Sequence, residues 1–484
     1  MRLKTNIACV SKQWNALSRI RLYEFVWIGN AAQAKALART LLMEFVDKKA
    51  IQGEGSKGRI SSGSYVRRLH IETPILERCS PADIRTILDF TPSLQIYSDH
   101  HSLQRSMFND SPDPRAAPAK LLKLIAHPKL QRLSWTTYGS IPFSECISPL
   151  IHSHHGTLNL EYLELTCWSP DSRSDNLESF GGPASWSSRP SQSPSVLSLP
   201  SLRALKVSLD DNTFETLASW DMPLLCNLSV LSSDFRHTGP GFHAFLTAHG
   251  DKLVQLELGH SSSAIGEYYL TEPHHPQQAN TTPATPISLA TLCPNLKQVI
   301  CSADAEWHWE NPDWISPHIL LPFHPNVELI GIRDIDKRLS EDPDYEHVGV
   351  TPYFPLFEQL VSLLRRDAFP SLRFVRDLSV ESHELRLRVA QAVANPLPST
   401  VPDRSSPNPK RVLQFWTRVV EKCRERGVWC EDYTGVNLTS RSLLRAGLMT
   451  TEREEKFKVE RKVNRQKSKK GKRFKLSLLG CAEL

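Results

Sequence analysis

Seven times along this chain a proline is followed, two residues later, by the same apolar signature: Leu or Val, two residues, then another apolar residue. The copies read TPSLQIY (91–97), HPKLQRL (127–133), LPSLRAL (199–205), MPLLCNL (222–228), CPNLKQV (293–299), HPNVELI (324–330) and FPSLRFV (369–375). Two segments, NLEYLEL from Asn159 and KLVQLEL from Lys252, lack the proline and keep the LxxLxL core, and YVRRLHI from Tyr65 opens the series. A fixed turn followed by apolar residues two apart marks a short strand entering a stack, and its recurrence marks one supersecondary unit used many times. Function in such a chain is expected on an extended surface rather than in a compact catalytic pocket.

The first apolar residues of the copies are Val66, Leu94, Leu130, Leu160, Leu202, Leu225, Leu253, Leu296, Val327 and Leu372, at intervals of 23 to 45 residues. Leucine-rich repeats typically run about 20–29 residues. The shorter intervals fit that unit and the longer ones carry insertions. Two insertions, SWSSRPSQSPS (185–195) and TEPHHPQQANTTPATP (271–286), are too polar to order themselves by burial. Candidate helices lie between the strands. PADIRTILDF (81–90) puts Ile84, Ile87 and Leu88 on one side, with Ser80 as a capping residue before Pro81. PLFEQLVSLLRRDAF (355–369) does the same with Leu356, Leu360 and Leu363 or Leu364. Strand, loop and helix in repetition predict an α/β fold: an irregular leucine-rich-repeat-like solenoid of parallel strands and helices, right-handed by default, with the strands lining its concave face.

The predicted organisation runs from a helical segment at 1–50 through a Gly/Ser-rich link at 51–64, too polar to pack, into repeats at 65–393. A Pro/Ser linker follows at 394–410, then a capping helix and strand at 411–440, and a basic, largely disordered tail at 441–484. In the first segment Ala34, Leu37, Leu41 and Phe45 share a helix face, and Tyr23 to Ile28 reads as extended. In the capping helix Val412, Phe415, Trp416, Val419 and Cys423 form an apolar stripe that closes the stack, and Gly427 stops the helix.

Charge is unevenly spread. The chain carries +6 overall, yet residues 456–475 hold eleven Lys or Arg against Glu460, which leaves a mildly acidic body. The basic cluster, with Lys467, Lys469, Lys470, Lys472 and Arg473 at its heart, reads as a solvated end, a nuclear-import signal or a nonspecific contact for phosphate polymers. Sparse aromatics make nucleic acid the weakest of these. The sequence has no run of about 18 apolar residues, its start lacks a secretory core, and its ten scattered cysteines form no CxxC pair. These features point to reduced thiols, a cytoplasmic or nuclear location, and no membrane partner.

The N-terminal ACVSKQWNALSRIRLYEFVWI resembles the second half of an F-box: a helix carrying Val10 and Trp14, then Leu17, then a Leu22–Tyr23 step into a first strand. With the Ala/Leu helix, irregular Pro-x-Leu repeats and a final helix ending ERGVWCEDYTG, the order of parts resembles the F-box/leucine-rich-repeat-like families of filamentous and mushroom-forming fungi. The resemblance implies an F-box-like remnant at the N-terminus, with Val10, Trp14 and Leu17 facing the adaptor of a cullin-type ubiquitin ligase. It also implies an unknown protein substrate on the repeats. An F-box opens with a Leu-Pro-x-Glu segment and a first helix, absent ahead of Met1, so docking is expected to be weakened. A stand-alone leucine-rich-repeat scaffold is the alternative.

No GxSxG, HExxH, P-loop or dinucleotide fingerprint is present, and no cofactor, metal or enzymatic activity is expected. GEGSKG (53–58) reads as linker; IHSHHG (151–156) and the pairs His100–His101 and His274–His275 read as loop histidines. Trp307, Trp309 and Trp314 form either a satellite apolar cluster or a ligand-contact platform.

Overall fold

The computed structural model describes residues 11–51, 61–74, 77, 79–100, 118–138, 147, 149–150, 158–168, 197–208, 211–231, 240–259, 288–303, 323–341, 353–394 and 409–439. The chain divides into two compact units, one of Met1–Leu296 with Ile315–Leu321, the other of Lys297–Trp314 with Pro322–Leu484. The division falls inside the span that the repeats mark.

The first unit contains α1 (Lys12–Tyr23), β1 (Phe25–Ile28), α2 (Ala31–Ile51), β2 (Arg68–Glu72), α3 (Pro81–Asp89), β3 (Ile96–His100), α4 (Pro118–Ile125) and β4 (Arg132–Tyr138). It continues with β5 (Tyr162–Trp168), β6 (Ala204–Ser208), α5 (Asp211–Ala218), β7 (Asn227–Leu231), α6 (Pro240–His249), β8 (Gln255–Gly259) and α7 (Leu289–Leu292). The second holds β9 (Gln298–Ser302), β10 (Leu329–Arg333), α8 (Ile335–Glu341), α9 (Phe354–Ser362), β11 (Phe374–Asp377), α10 (Val380–Ala394), α11 (Pro409–Glu425) and β12 (Trp429–Glu431). The named strands within each unit pair in parallel and follow one another in chain order. Parallel neighbours need a crossover between them, which the helices and longer connections supply.

The proline signature is a turn. The amide of Leu130 donates to the His127 carbonyl, Leu202 to Leu199, Leu225 to Met222 and Leu296 to Cys293, each at 3.0–3.3 Å. Pro128, Pro200, Pro223 and Pro294 thus occupy the second turn position, where a fixed φ is favourable. The first leucine or valine of each signature seats in the core ahead of its strand, save Leu372, which is half-buried, and the second apolar residue lies on the strand. Register sets Leu69, Tyr97, Leu133, Leu163, Leu205, Leu228 and Leu256 side by side across β2 to β8, none more than 1% exposed. Each buried Leu of this kind is worth about 1.5–3 kcal/mol by transfer alone. In the second unit Val299, Ile330, Val375 and Cys430 make the equivalent buried row.

At the third apolar position the row runs Ile71, Asp99, Trp135, Leu165, Val207 in register. Asp99 is buried there and accepts a hydrogen bond from Tyr97 Oη at 3.2 Å. Asp377 plays a similar part in the second unit: it is buried, paired with Arg386, and accepts the Ser379 amide at 3.2 Å.

α11 buries the whole stripe of Val412, Phe415, Trp416, Val419 and Cys423. Gly427, at φ 72°, ends it, with its amide on the Arg424 carbonyl and that of Val428 on Cys423. This paired pattern is a Schellman cap.

Three local expectations are corrected. The link at 51–64 packs at its described end: Ser62 is buried, and its amide and hydroxyl donate to Glu44 at 2.8 and 2.7 Å. Polar residues enter a core when each group finds a partner, and Arg19, paired with Glu44, completes the set. Secondly, the inner face of α2 is Ala34, Ala38 and Leu41; Phe45 is 40% exposed and instead meets Phe90 at 5.1 Å. Thirdly, Ser80 occupies the cap position of α3 without a side-chain capping bond, because Pro81 starts the helix and the Ser80 carbonyl accepts from Asp83 and Ile84.

Candidate functional site

Alternation along each strand decides which side chains are free to act. Leu69 and Ile71 point inward on β2, so Arg68, His70 and Glu72 point to the opposite face of the sheet. On that open face the register places Phe25, Arg68, Ile96, Arg132, Tyr162, Ala204, Asn227 and Gln255 in one row. Trp27, His70, Ser98, Ser134, Glu164, Lys206, Ser229 and Glu257 form the next. These two rows are the candidate site.

The rows are internally connected at their β5–β8 end. Tyr162 Oη donates to Glu164 Oε2 at 3.2 Å, Lys206 Nζ lies 2.7 Å from Glu164 Oε1, and Ser229 Oγ donates to Glu257 Oε2 at 2.9 Å. Burial, reinforced by the Glu164 charge and hydrogen bond, pushes the Tyr162 hydroxyl well above the usual phenol range, so it stays protonated as a donor. At the β1–β4 end Ser98 and Ser134 are buried, while the aromatic and arginine side chains reach the surface. Trp27 is 48% exposed and edge-on to His70 at 5.2 Å, and His70 Nε2 lies 3.3 Å from Glu72. Arg68 and Arg132 are exposed, with the Arg132 guanidinium 5.9 Å from the centre of the Tyr162 ring. What this arrangement offers is hydrogen bonding, charge and aromatic surface to a partner laid across strands.

A second feature is apolar exposure near the N-terminus. Of fifteen large apolar side chains exposed among the described residues, Trp14, Ile20, Phe25, Trp27, Leu42, Met43, Phe45 and Val46 belong to α1, β1 and α2. Scattered exposed apolar residues are ordinary, so it is their concentration in these three elements that stands out.

Of the adaptor-facing residues expected from sequence, Trp14 is 53% exposed on α1, whose first turn Ser11 caps by accepting the Trp14 amide at 3.1 Å. Val10 and the Leu17 side chain lie outside the described residues, as do Trp307, Trp309 and Trp314, IHSHHG, and the basic cluster Lys467, Lys469, Lys470, Lys472 and Arg473. Six cysteines have described side chains; none of the six is in a disulfide, and five are buried. Among the described residues no three His, Cys, Asp or Glu side chains gather as a metal site, and no helix is long and apolar enough to cross a membrane.

The open-face residues Trp27, Arg68, Arg132 and Tyr162 were not singled out by the motif, which records only what is buried. The signal was nonetheless present: each lies on a strand at a position alternating with the buried apolar residues.

No protein-family model matches the chain, and no curated protein matches it.

Proposed function

We propose that the chain is a non-enzymatic recognition protein of F-box-like, leucine-rich-repeat-like type. In this reading the N-terminal segment docks on the adaptor of a cullin-type ubiquitin ligase and the repeats hold a protein substrate. The observation that carries it is the exposure of Trp14 together with Ile20, Leu42, Met43 and Val46 on the two helices ahead of the first repeat. Large apolar side chains left in water at a segment's surface lose stability that a partner restores by burying them. A stack of short parallel strands, turn-linked and open on one face, supports the second half of the reading, because such sheets present extended surfaces rather than pockets.

Adaptor binding to the purified full chain tests this, measured alongside Trp14→Ala. The expected result is weak but saturable binding that falls about tenfold in the variant, on the scale of a truncated aromatic anchor. Strong binding indifferent to Trp14→Ala refutes the assignment. No binding at all leaves the stand-alone scaffold as the function of the repeats.

A further inference from the structure

We propose that the β1–β4 end of the open sheet face binds an acidic, extended peptide segment, with Arg68 and Arg132 taking its carboxylates and Trp27 an adjacent apolar residue. This rests on the recognition reading above and names the chemistry of the substrate.

The charge on this part of the face is unspent. Arg67, immediately before β2, and Arg68 are both exposed, and neither forms an ion pair with a described residue. Arg132 is exposed as well, with its guanidinium carbon over the Tyr162 ring at 5.9 Å from the centre. A ring contact of this kind uses up none of the guanidinium N–H donors as hydrogen bonds, which leaves them for a carboxylate.

Spacing fits a peptide crossing the strands. Arg68 and Arg132 share one row with Ile96 between them, and two strand steps separate their backbones by about 9–10 Å. An extended peptide repeats same-side side chains every ~6.8 Å. Carboxylates two residues apart therefore reach both guanidiniums, the long arginine side chains closing the difference. Phe25 continues the Arg68 row on the next strand and is 38% exposed, and Trp27 stands one row along at 48%, edge-on to Phe25 at 6.5 Å, so the next apolar side chain of that peptide meets this aromatic pair. Trp, Tyr and Arg are the residue types that carry binding energy at protein interfaces.

A polynucleotide fits less well. Glu161 is exposed directly ahead of β5, and Glu164 lies on the open face beyond Arg132. A phosphate chain continuing past the arginines meets these carboxylates, whereas a peptide confines its negative charge to the arginine end.

The test is fluorescence-polarisation titration of the full chain with a short labelled peptide bearing Glu at alternate positions and Leu at one end. Its lysine counterpart and a single-stranded RNA of similar length serve as comparators. The acidic peptide is expected to bind, and to weaken about tenfold between about 50 and about 300 mM salt, since rim charges are screened. Arg68→Glu and Arg132→Glu should each weaken it about tenfold or more, and Trp27→Ala about fivefold. Melting curves of the variants establish that each is folded, and Arg68→Ala and Arg132→Ala, which remove the charge without reversing it, carry the test if a Glu variant is not. Adaptor binding by Arg68→Glu stays unchanged, which separates this proposal from the docking reading. Equal binding of the lysine peptide, tighter binding of RNA, indifference to the arginine variants, or no acidic-peptide binding up to about 1 mM each overturns the proposal.

Discussion

Gly250 shows how a single position in the repeat is chosen by its neighbour rather than by its own turn. It accepts the Leu253 amide at 3.1 Å, the role that Met222 and Cys293 fill in copies with a proline. The turn therefore does not demand glycine. A Cβ on residue 250 would lie 2.5 Å from the Leu292 carbonyl oxygen and 3.0 Å from Cys293 Sγ, because the next repeat's chain passes there. Gly250→Ala is expected to cost about 1–3 kcal/mol, the usual penalty of overpacking, seen as a lower melting temperature. An unchanged melt would mean that the neighbouring backbone yields freely. One residue earlier, buried His249 has its proton affinity lowered by burial and by Lys252, whose Nζ is 3.0 Å from His249 Nδ1. The unfolded chain then holds this proton more tightly than the native one. Stability from neutral His249 is present above about pH 6.5 and lost as pH falls through that value towards the depressed native one. Melting temperatures at about pH 7.5 and about pH 5 should differ less in His249→Gln than in the parent.

At the scale of the element, each strand depends on the two beside it. Leu163 on β5 lies in register between Leu133 and Leu205 and is fully buried. Leu163→Ala should cost about 2–5 kcal/mol. In a stack whose members meet only neighbours the loss is local, so amide exchange should accelerate in β4, β5 and β6 more than in β1 or β2. Uniform acceleration across β1–β8 would show that these strands unfold as one. The turn and the leucine rows were legible in sequence because Pro-x-Leu fixes a local geometry and the apolar spacing follows it directly. The α2 face was misread because Phe45 finds its contact in Phe90, across a connection that periodicity does not span. Ser62 was misread as a residue too polar to pack because its partner Glu44 is 18 positions away. Asp99 and Asp377, set at apolar positions, depend likewise on particular hydroxyl or guanidinium partners. Exposed positions such as Arg68 and Arg132 carried no motif at all, since nothing in a solvent-facing row repeats.

At the scale of the whole molecule, charge is the property that sequence fixes without reference to packing. The chain carries +6 and the segment 456–475 alone +10, so its removal inverts the sign of the protein to about −4. Lys467, Lys469, Lys470, Lys472 and Arg473 lie within seven residues, a density at which long-range attraction to any polyanion exceeds what single pairs provide. The same density suits recognition as an import signal, and the two readings diverge in cells. Deleting residues 456–475 from a fluorescent fusion is expected to move the protein from nucleus to cytoplasm while leaving adaptor binding intact, since that is assigned to α1 and α2. Restoring the charge with an unrelated, scrambled lysine-rich stretch separates the mechanisms: nonspecific attraction to polyanions recovers with charge alone, whereas receptor-read import depends on the order of residues. A distribution unchanged by the deletion removes the import reading, and the segment then contributes only the net positive charge that offsets an acidic body.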